Sequence, residues 1–207
     1  MTKIKICGLY RPCDVEYVNR AGPDWCGFVI NFPKSHRSVT PERARELRSG
    51  LSRHVRPVGV FVDSPAETVA ELLDDGTIAV AQLHGHEDDA YIARLRALTR
   101  GHPMWRGYEI WKAFKLRGPA DLEAANASAA DLVLLDNGRG TGETFDWSLA
   151  EGAKRPFLLA GGLTPENIPE AIRRLRPYGL DISGGVETDR KKDPSKILAA
   201  VAAARKE

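Results

Sequence analysis

The sequence predicts an α/β protein built as a single (β/α)₈ barrel of the TIM class, and three observations predict it. Short β-rich runs alternate with helical ones from end to end of the 207 residues. No composition break or low-complexity linker divides them, so residues 1–207 read as one domain rather than an open sheet with an appendage. The third observation is the first strand, where Lys3, Ile4, Lys5, Ile6 and Cys7 alternate polar and apolar without exception. Successive strand side chains point to opposite faces, so the thiol points wherever the lysines point. In a half-exposed sheet that face would be solvent. In a closed parallel barrel the isoleucines pack outward against helices, and Cys7 faces the mouth at the strand's carboxyl end.

The elements follow in order. The first strand (3–7) leads to a helix over 12–21, and the second (25–30) to a helix over 41–49 opened by Thr40-Pro41. A strand over 57–62 precedes a helix over 65–74 behind Ser64-Pro65, and a strand over 78–84 precedes a helix over 88–98. Strands over 108–114 and 131–136 are followed by two short helices, 119–125 and 147–151. The strand over 156–160 meets Thr164-Pro165 and a helix over 165–175, and the last strand (180–183) meets Asp193-Pro194 and a helix over 194–205. Ser, Thr or Asp followed by proline is a helix start: the first residue caps an orphan N–H, and proline at the first helical position sacrifices none.

Composition narrows the function. Apolar residues at 43% and charged residues at 28% are those of a globular protein. Thirty basic against twenty-eight acidic side chains leave +2, too balanced for a nucleic-acid or membrane-surface protein. No apolar run approaches the roughly 20 residues that span a bilayer. The N-terminal region has no signal-type apolar stretch, so a cytoplasmic location is expected. Cys7, Cys13 and Cys26 have no CxxC or Cys/His ligand spacing, which speaks against structural zinc or a disulfide framework.

Chemistry concentrates at the strand ends. Gly161-Gly162 and Gly184-Gly185 each follow a strand directly, the second behind Ser183. Glycine admits an anion close to backbone N–H groups, and the loops after the seventh and eighth strands are the usual phosphate site of such barrels. Asp136 ends the sixth strand ahead of a glycine-rich loop containing Gly138, Gly140 and Gly142, which lacks GxGxxG spacing and reads as a closing loop rather than a dinucleotide site. Arg37, after the second strand, can clamp a carboxylate with two parallel hydrogen bonds. Gln82 and His84 share a face of the fourth strand; His84 and His86 lack a third metal ligand at recognisable spacing, so no metal is expected.

Taken together these motifs resemble the phosphoribosylanthranilate isomerase family of tryptophan biosynthesis. The resemblance runs almost the whole chain in order. It passes through Lys5-Ile-Cys-Gly-Leu, Gly27-Phe-Val-Ile with Ser35-His-Arg37, Val58-Gly-Val-Phe-Val, Gln82-Leu-His-Gly and Lys112-Ala-Phe. It continues with Leu134-Leu-Asp136, Gly140-Thr-Gly with Thr144-Phe-Asp-Trp, Ala160-Gly-Gly-Leu-Thr-Pro-Glu-Asn, and Asp181-Ile-Ser-Gly-Gly-Val-Glu-Thr with Lys192-Asp. It implies a phosphate-binding barrel that carries out a cofactor-free Amadori rearrangement on a phosphorylated small molecule, as a monomer or homodimer. By resemblance Cys7 is the general base and Asp136 the general acid. Arg37 faces the anthranilate carboxylate, and Asp181, with Lys5 and His84, belongs to the substrate site. Gly140, Gly142, Gly161, Gly162, Ser183, Gly184 and Gly185 form the phosphate loops.

Strand parity adds two expectations. The first and last strands adjoin when the barrel closes, so Lys5 should pair with Asp181, because an unpartnered ammonium inside a barrel is costly. Lys5 should then help the Cys7 thiol ionise. Two departures from the family are visible. Gly184 stands where a second serine is usual, and Ile30-Asn31 replaces an aromatic and a small residue, which should reshape the anthranilate pocket. Two rival readings remain: a barrel that binds a sugar phosphate without turnover, and the related histidine-pathway isomerase acting on an aminoimidazole. The latter resembles a barrel with aspartate at the first strand's end, where this chain has Cys7.

Overall fold

The computed structural model describes residues 1–99, 107–136 and 147–206. In chain order they form β1 (Lys3–Cys7), α1 (Pro12–Ala21), β2 (Trp25–Ile30), β3 (Ser38–Val39), α2 (Pro41–Ser49) and β4 (Arg56–Phe61). Next come α3 (Ala66–Asp74), β5 (Val80–Leu83), α4 (Asp89–Leu98), β6 (Glu109–Lys115), α5 (Pro119–Ala127) and β7 (Leu132–Asp136). The chain continues through β8 (Phe157–Ala160), α6 (Ile168–Leu175), β9 (Gly179–Ile182), the β10 (Glu187–Thr188) and β11 (Lys191–Lys192) hairpin, and α7 (Pro194–Arg205).

β1, β2, β4, β5, β6, β7, β8 and β9 pair in parallel in that order, and β9 returns to β1, closing the barrel. β3 is a two-residue strand alongside β2. The seam is set by residue partners: Lys5 lies opposite Trp25 on one side and Asp181 on the other, and Cys7 opposite Gly27. Helices cover the outside, as an all-parallel sheet requires.

The alternation of β1 is inside-out, as expected for a closed barrel. Ile4 and Ile6 are fully buried in the layer between strands and helices, with Leu180 and Ile182 of β9. The inner core is separate and small: Trp25, Val58, Val80, Trp111, Leu132, Leu134 and Leu158, with Ala113 and Ala160. Trp25 and Trp111 meet edge to face with ring centres 5.1 Å apart, a favoured aromatic geometry that plugs the barrel below the site.

Three helix expectations are corrected. The helix after β8 begins at Ile168, not Pro165. The Thr164 carbonyl accepts from the Asn167 and Ile168 N–H groups, and Asn167 Oδ1 accepts from Thr164 N at 2.8 Å while its Nδ2 donates to Gly162 O at 2.9 Å. Asn167 thus spends its amide on the glycine loop, and Thr164 caps a separate turn. α3 starts at Ala66, with Pro65 as its capping residue. In the sixth unit, Trp147–Ala150 is a single 3₁₀ turn rather than an α-helix. The Thr40 and Asp193 caps stand: Thr40 Oγ1 accepts from Arg43 N, and Asp193 Oδ1 from Ser195 N and Lys196 N. Among the described residues no helix is long and apolar enough to cross a membrane.

Candidate active site

A cavity of about 490 Å³ opens at the carboxyl ends of the strands, and Cys7, Arg37, His84, Asp136 and Asp181 line it together with Gly161, Gly162, Ser183, Gly184 and Gly185. Each is delivered by a strand end or the loop after it. Gly140 and Gly142 lie outside the described residues.

Lys5 is different. It is fully buried beneath the cavity, and its Nζ donates to both Asp181 oxygens at 2.9 and 3.0 Å. It therefore meets a ligand only through Asp181 and Cys7, not as part of the cavity wall. Burial works against the ammonium, but the Asp181 charge and the Cys7 group outweigh it and raise the Lys5 pKa. The seam has room for this because β2 carries Gly27: a β-carbon there would sit 2.8 Å from Cys7 Sγ and 3.0 Å from Lys5 Nζ.

The thiol itself is pushed up, not down. Burial dominates, and Asp181 adds to it, while Lys5 and, more weakly, Lys192 pull the other way. Lys5 assists ionisation as expected, yet it does not offset the loss of solvent. Cys26, one residue from Gly27 and facing the outer core, is pushed to about 12 by burial.

At the rim, Arg37 is already gripped. Its Nε and Nη2 donate to the two Glu187 oxygens at 2.7 and 2.6 Å, a bidentate pair of the strong kind. Glu187 also accepts from Lys192 Nζ at 2.7 Å, and Lys192 donates to the Ser183 carbonyl at 2.9 Å. Burial alone would raise the Glu187 carboxyl, but the Arg37 hydrogen bonds and the Lys192 charge hold it at about 2. Sequence reasoning missed both Glu187 and Lys192. Their signal was the hairpin between them, whose turn residues Asp189 and Arg190 take φ of 50° and 60°, the left-handed pair that a two-residue hairpin turn requires. The grip leaves Arg37 its Nη1–Nη2 edge, since a guanidinium offers five donors.

The glycine turns divide by role. Gly161 and Gly162 have φ of 88° and 64°, open to glycine without strain. A β-carbon on Gly185 would collide with the Leu163 carbonyl oxygen, so the two loops touch backbone to backbone there. Gly184 is the roomier of the two: a β-carbon would meet only Arg37 Nη2 at 3.9 Å. Ser183 donates its hydroxyl proton to the Cys7 carbonyl at 3.0 Å, so that proton is already committed within the protein. Ile30 is buried in the outer core and neither it nor Asn31 lines the cavity; Val29 and Phe32 do. The expected reshaping of a pocket by Ile30-Asn31 is therefore corrected: the inward face of β2 belongs to its odd-numbered residues.

On the wall opposite the seam, His84 Nε2 lies 3.4 Å from Asp136 Oδ2. His86 turns away and pairs with Asp63 at 3.0 Å, so the two histidines do not converge. Among the described residues no group of three or more His, Cys, Asp or Glu side chains comes together in a way that could hold a metal ion.

A closed parallel barrel with a buried thiol and a carboxylate in one cavity at its strand ends defines the class: a (β/α)₈-barrel enzyme with its site at the carboxyl face. Residues 4–203 match the family model described as N-(5'phosphoribosyl)anthranilate (PRA) isomerase, and the chain belongs to that family. It is 41% identical over 206 residues to an N-(5'-phosphoribosyl)anthranilate isomerase from Acetivibrio thermocellus, spanning 95% of this chain and 93% of that protein. The crystal structure of phosphoribosyl anthranilate isomerase from Thermotoga maritima superposes with a TM-score of 0.86 at 33% identity, covering 100% of both chains. A phosphoribosyl anthranilate isomerase crystallised with reduced 1-(o-carboxyphenylamino)-1-deoxyribulose 5-phosphate superposes at 0.84 and 32% identity, again over 100% of both chains.

Proposed function

We infer that the protein is a phosphoribosylanthranilate isomerase of tryptophan biosynthesis, converting N-(5-phosphoribosyl)anthranilate to 1-(2-carboxyphenylamino)-1-deoxyribulose 5-phosphate. The observation that carries the reading is the placement of Cys7 and Asp136 in one cavity between an arginine edge and two glycine loops. The substrate has an anion at each end. Arg37 takes the anthranilate carboxylate on its Nη1–Nη2 edge, while the glycine loops take the phosphate on backbone donors. The reacting sugar then lies between the acid and the base.

Asp136 gives a proton to the furanose oxygen as the anomeric C–N bond becomes an iminium and the ring opens. Cys7 removes the C2′ proton, which the iminium has made acidic, and the resulting enolamine tautomerises to the ketone. A general acid and a general base each contribute roughly 10²–10⁴-fold. A thiol raised by burial forms less thiolate, but the thiolate is a stronger base, and Lys5 and Lys192 supply the nearby positive charge. Asp181 holds Lys5 in place, so its part is to fix the field around the thiol. The chemistry needs no cofactor. On this reading the protein is expected in the cytoplasm, as a monomer or homodimer.

The test is direct. Freshly made phosphoribosylanthranilate loses its anthranilate fluorescence when the purified protein is added, and the histidine-pathway aminoimidazole substrate is left unchanged. No loss of fluorescence in well-folded protein would reduce the chain to a sugar-phosphate-binding barrel; turnover of the aminoimidazole would favour the other isomerase.

A further inference from the structure

Lys192 stands directly opposite Glu187 in the hairpin of β10 and β11. Its ammonium is fully buried and does not line the cavity, yet its partners belong to the site. Nζ donates to Glu187 Oε1 at 2.7 Å and to the Ser183 carbonyl at 2.9 Å, and it lies 3.4 Å from Ser183 Oγ. That hydroxyl gives its own proton to the Cys7 carbonyl, which leaves its lone pairs for the ammonium. An ammonium has three donors and no acceptor, and Glu187 and Ser183 take them. The backbone around it is fixed as well: Arg11 Nη2 donates to the Lys192 carbonyl at 3.2 Å, and Asp193 caps α7.

Both ends of the cavity feel this lysine. A trans peptide carries its C=O and N–H on opposite sides, and among the described residues no peptide bond is cis. With the Ser183 carbonyl held toward Lys192, the Gly184 N–H of the same peptide is turned away from it, to the side where Ser183 and Gly184 line the cavity. At the other end, Glu187 grips Arg37 with both oxygens. Taken alone, that grip would orient the guanidinium but cancel its charge, leaving a neutral pair to meet an anion. Lys192 on the same carboxylate makes the cluster two cations to one anion and restores a net positive charge beside the rim. We propose that Lys192 is a positioning residue that couples the two anion-binding ends of the site. Through Ser183 it orients the glycine turn, and through Glu187 it keeps Arg37 held without neutralising it. The inference rests on the isomerase reading, which puts phosphate at one end and the anthranilate carboxylate at the other.

The other charges near Glu187 do not take over this part. His36 Nε2 is 4.0 Å from Glu187 Oε2, but burial, Arg37 and Arg190 lower its pKa, so the ring is neutral at pH 7. Lys196 Nζ donates to the Glu187 carbonyl at 2.7 Å, not to its carboxylate. Asp193 is turned to Thr188 and to the first N–H groups of α7. The Lys5–Asp181 pair is balanced within itself.

The experiment titrates the wild type, Lys192→Met, Arg37→Ala and the double variant with inorganic phosphate and with anthranilate, one probe for each end. Arg37→Ala should weaken anthranilate and keep phosphate within about twofold, as independent sites do. Lys192→Met should weaken both by about tenfold, the size expected of a hydrogen bond to a charged group. Added to Arg37→Ala, it should weaken phosphate to the same extent and anthranilate no further, since residues that act through one another do not add. A folded Lys192→Met that binds either probe within about twofold of wild type would overturn the proposal. Where that variant fails to fold, the wild type decides: in ¹H–¹⁵N NMR the Gly184 amide proton should move downfield as inorganic phosphate is added. An unmoved signal would overturn the proposal equally. Failure of the isomerase reading is separately visible as absence of phosphoribosylanthranilate turnover by the wild type.

Discussion

Lys5 and Asp181 stand opposite one another across the seam of the barrel, ammonium to carboxylate at 2.9 and 3.0 Å, with the lysine fully buried. Breaking such a pair from one side leaves a buried charge uncompensated, at a cost of about 3–5 kcal/mol. Lys5→Met should therefore lower stability by that order in urea unfolding. Where folded protein can be recovered, it should also raise the Cys7 pKa further, because Lys5 is the main group pulling it down. The basic side of the activity profile and the pH dependence of thiol alkylation should both move to higher pH. Unchanged profiles would mean that the pair serves structure alone.

The thiol gives the sharpest activity test. Cys7→Ser should fold normally and lose about 10²–10⁴-fold in kcat, since a hydroxyl is a far poorer base. Cys13→Ala and Cys26→Ala should stay active, because Cys26 faces the outer core and Cys13 lies half-buried on α1. Near-normal turnover of folded Cys7→Ser would remove the thiol from the mechanism.

Glu187 makes stability depend on pH in a definite direction. Its folded pKa of about 2 lies below the ordinary carboxylate value, so the unfolded chain binds its proton first as pH falls. The contribution of the charged pair is complete above the unfolded value, about 4.3, and is lost as pH falls through about 2. Glu187→Gln should be less stable than wild type at pH 7, with the gap closing between about pH 5 and 2. A gap that persists at pH 2 would assign the loss to packing. Free of its clamp, Arg37 should also bind substrate more weakly, read as a rise in KM.

The two glycines behind Ser183 should respond in opposite ways. Gly184→Ser has space, with its β-carbon 3.9 Å from Arg37 Nη2, and should leave stability and phosphate inhibition within about twofold of wild type. Gly185→Ala must push the Leu163 carbonyl aside, and overpacking of this kind costs about 1–3 kcal/mol. It should lower thermal stability and weaken inhibition by inorganic phosphate. Equal behaviour of the two variants would contradict the loop contact.

How much of this was legible in the sequence depends on how local each feature is. The strict alternation of Lys3 to Cys7 and the cap-plus-proline pairs at Thr40 and Asp193 act over a few residues, and they read correctly. The Lys5–Asp181 pair was also readable, because barrel closure fixes which strands adjoin and parity fixes which side chains meet. Glu187 was not, since its partner Arg37 lies 150 residues away and the contact depends on how one hairpin folds over the mouth. The different surroundings of Gly184 and Gly185 were not readable for a similar reason: the collision with Leu163 comes from a neighbouring loop. At Thr164 the local signal was present, but Asn167 turned its amide to the glycine loop and moved the helix start.

The seam also sets an order of events. The counter-charge to Lys5 is encoded 176 residues after it, and the hydroxyl that ties down the Cys7 carbonyl is as far away. During synthesis the first strand leaves the ribosome with its inward lysines and thiol long before β9 exists to receive them. Contacts of such long range are the slow ones to form. Until the closing strand docks, the nascent chain holds the Cys7 thiol in water beside an unpaired ammonium, without the arginine rim completed by Glu187. Chemistry in this barrel therefore waits on its last strand, and a truncated or stalled chain carries the nucleus of the site without its setting.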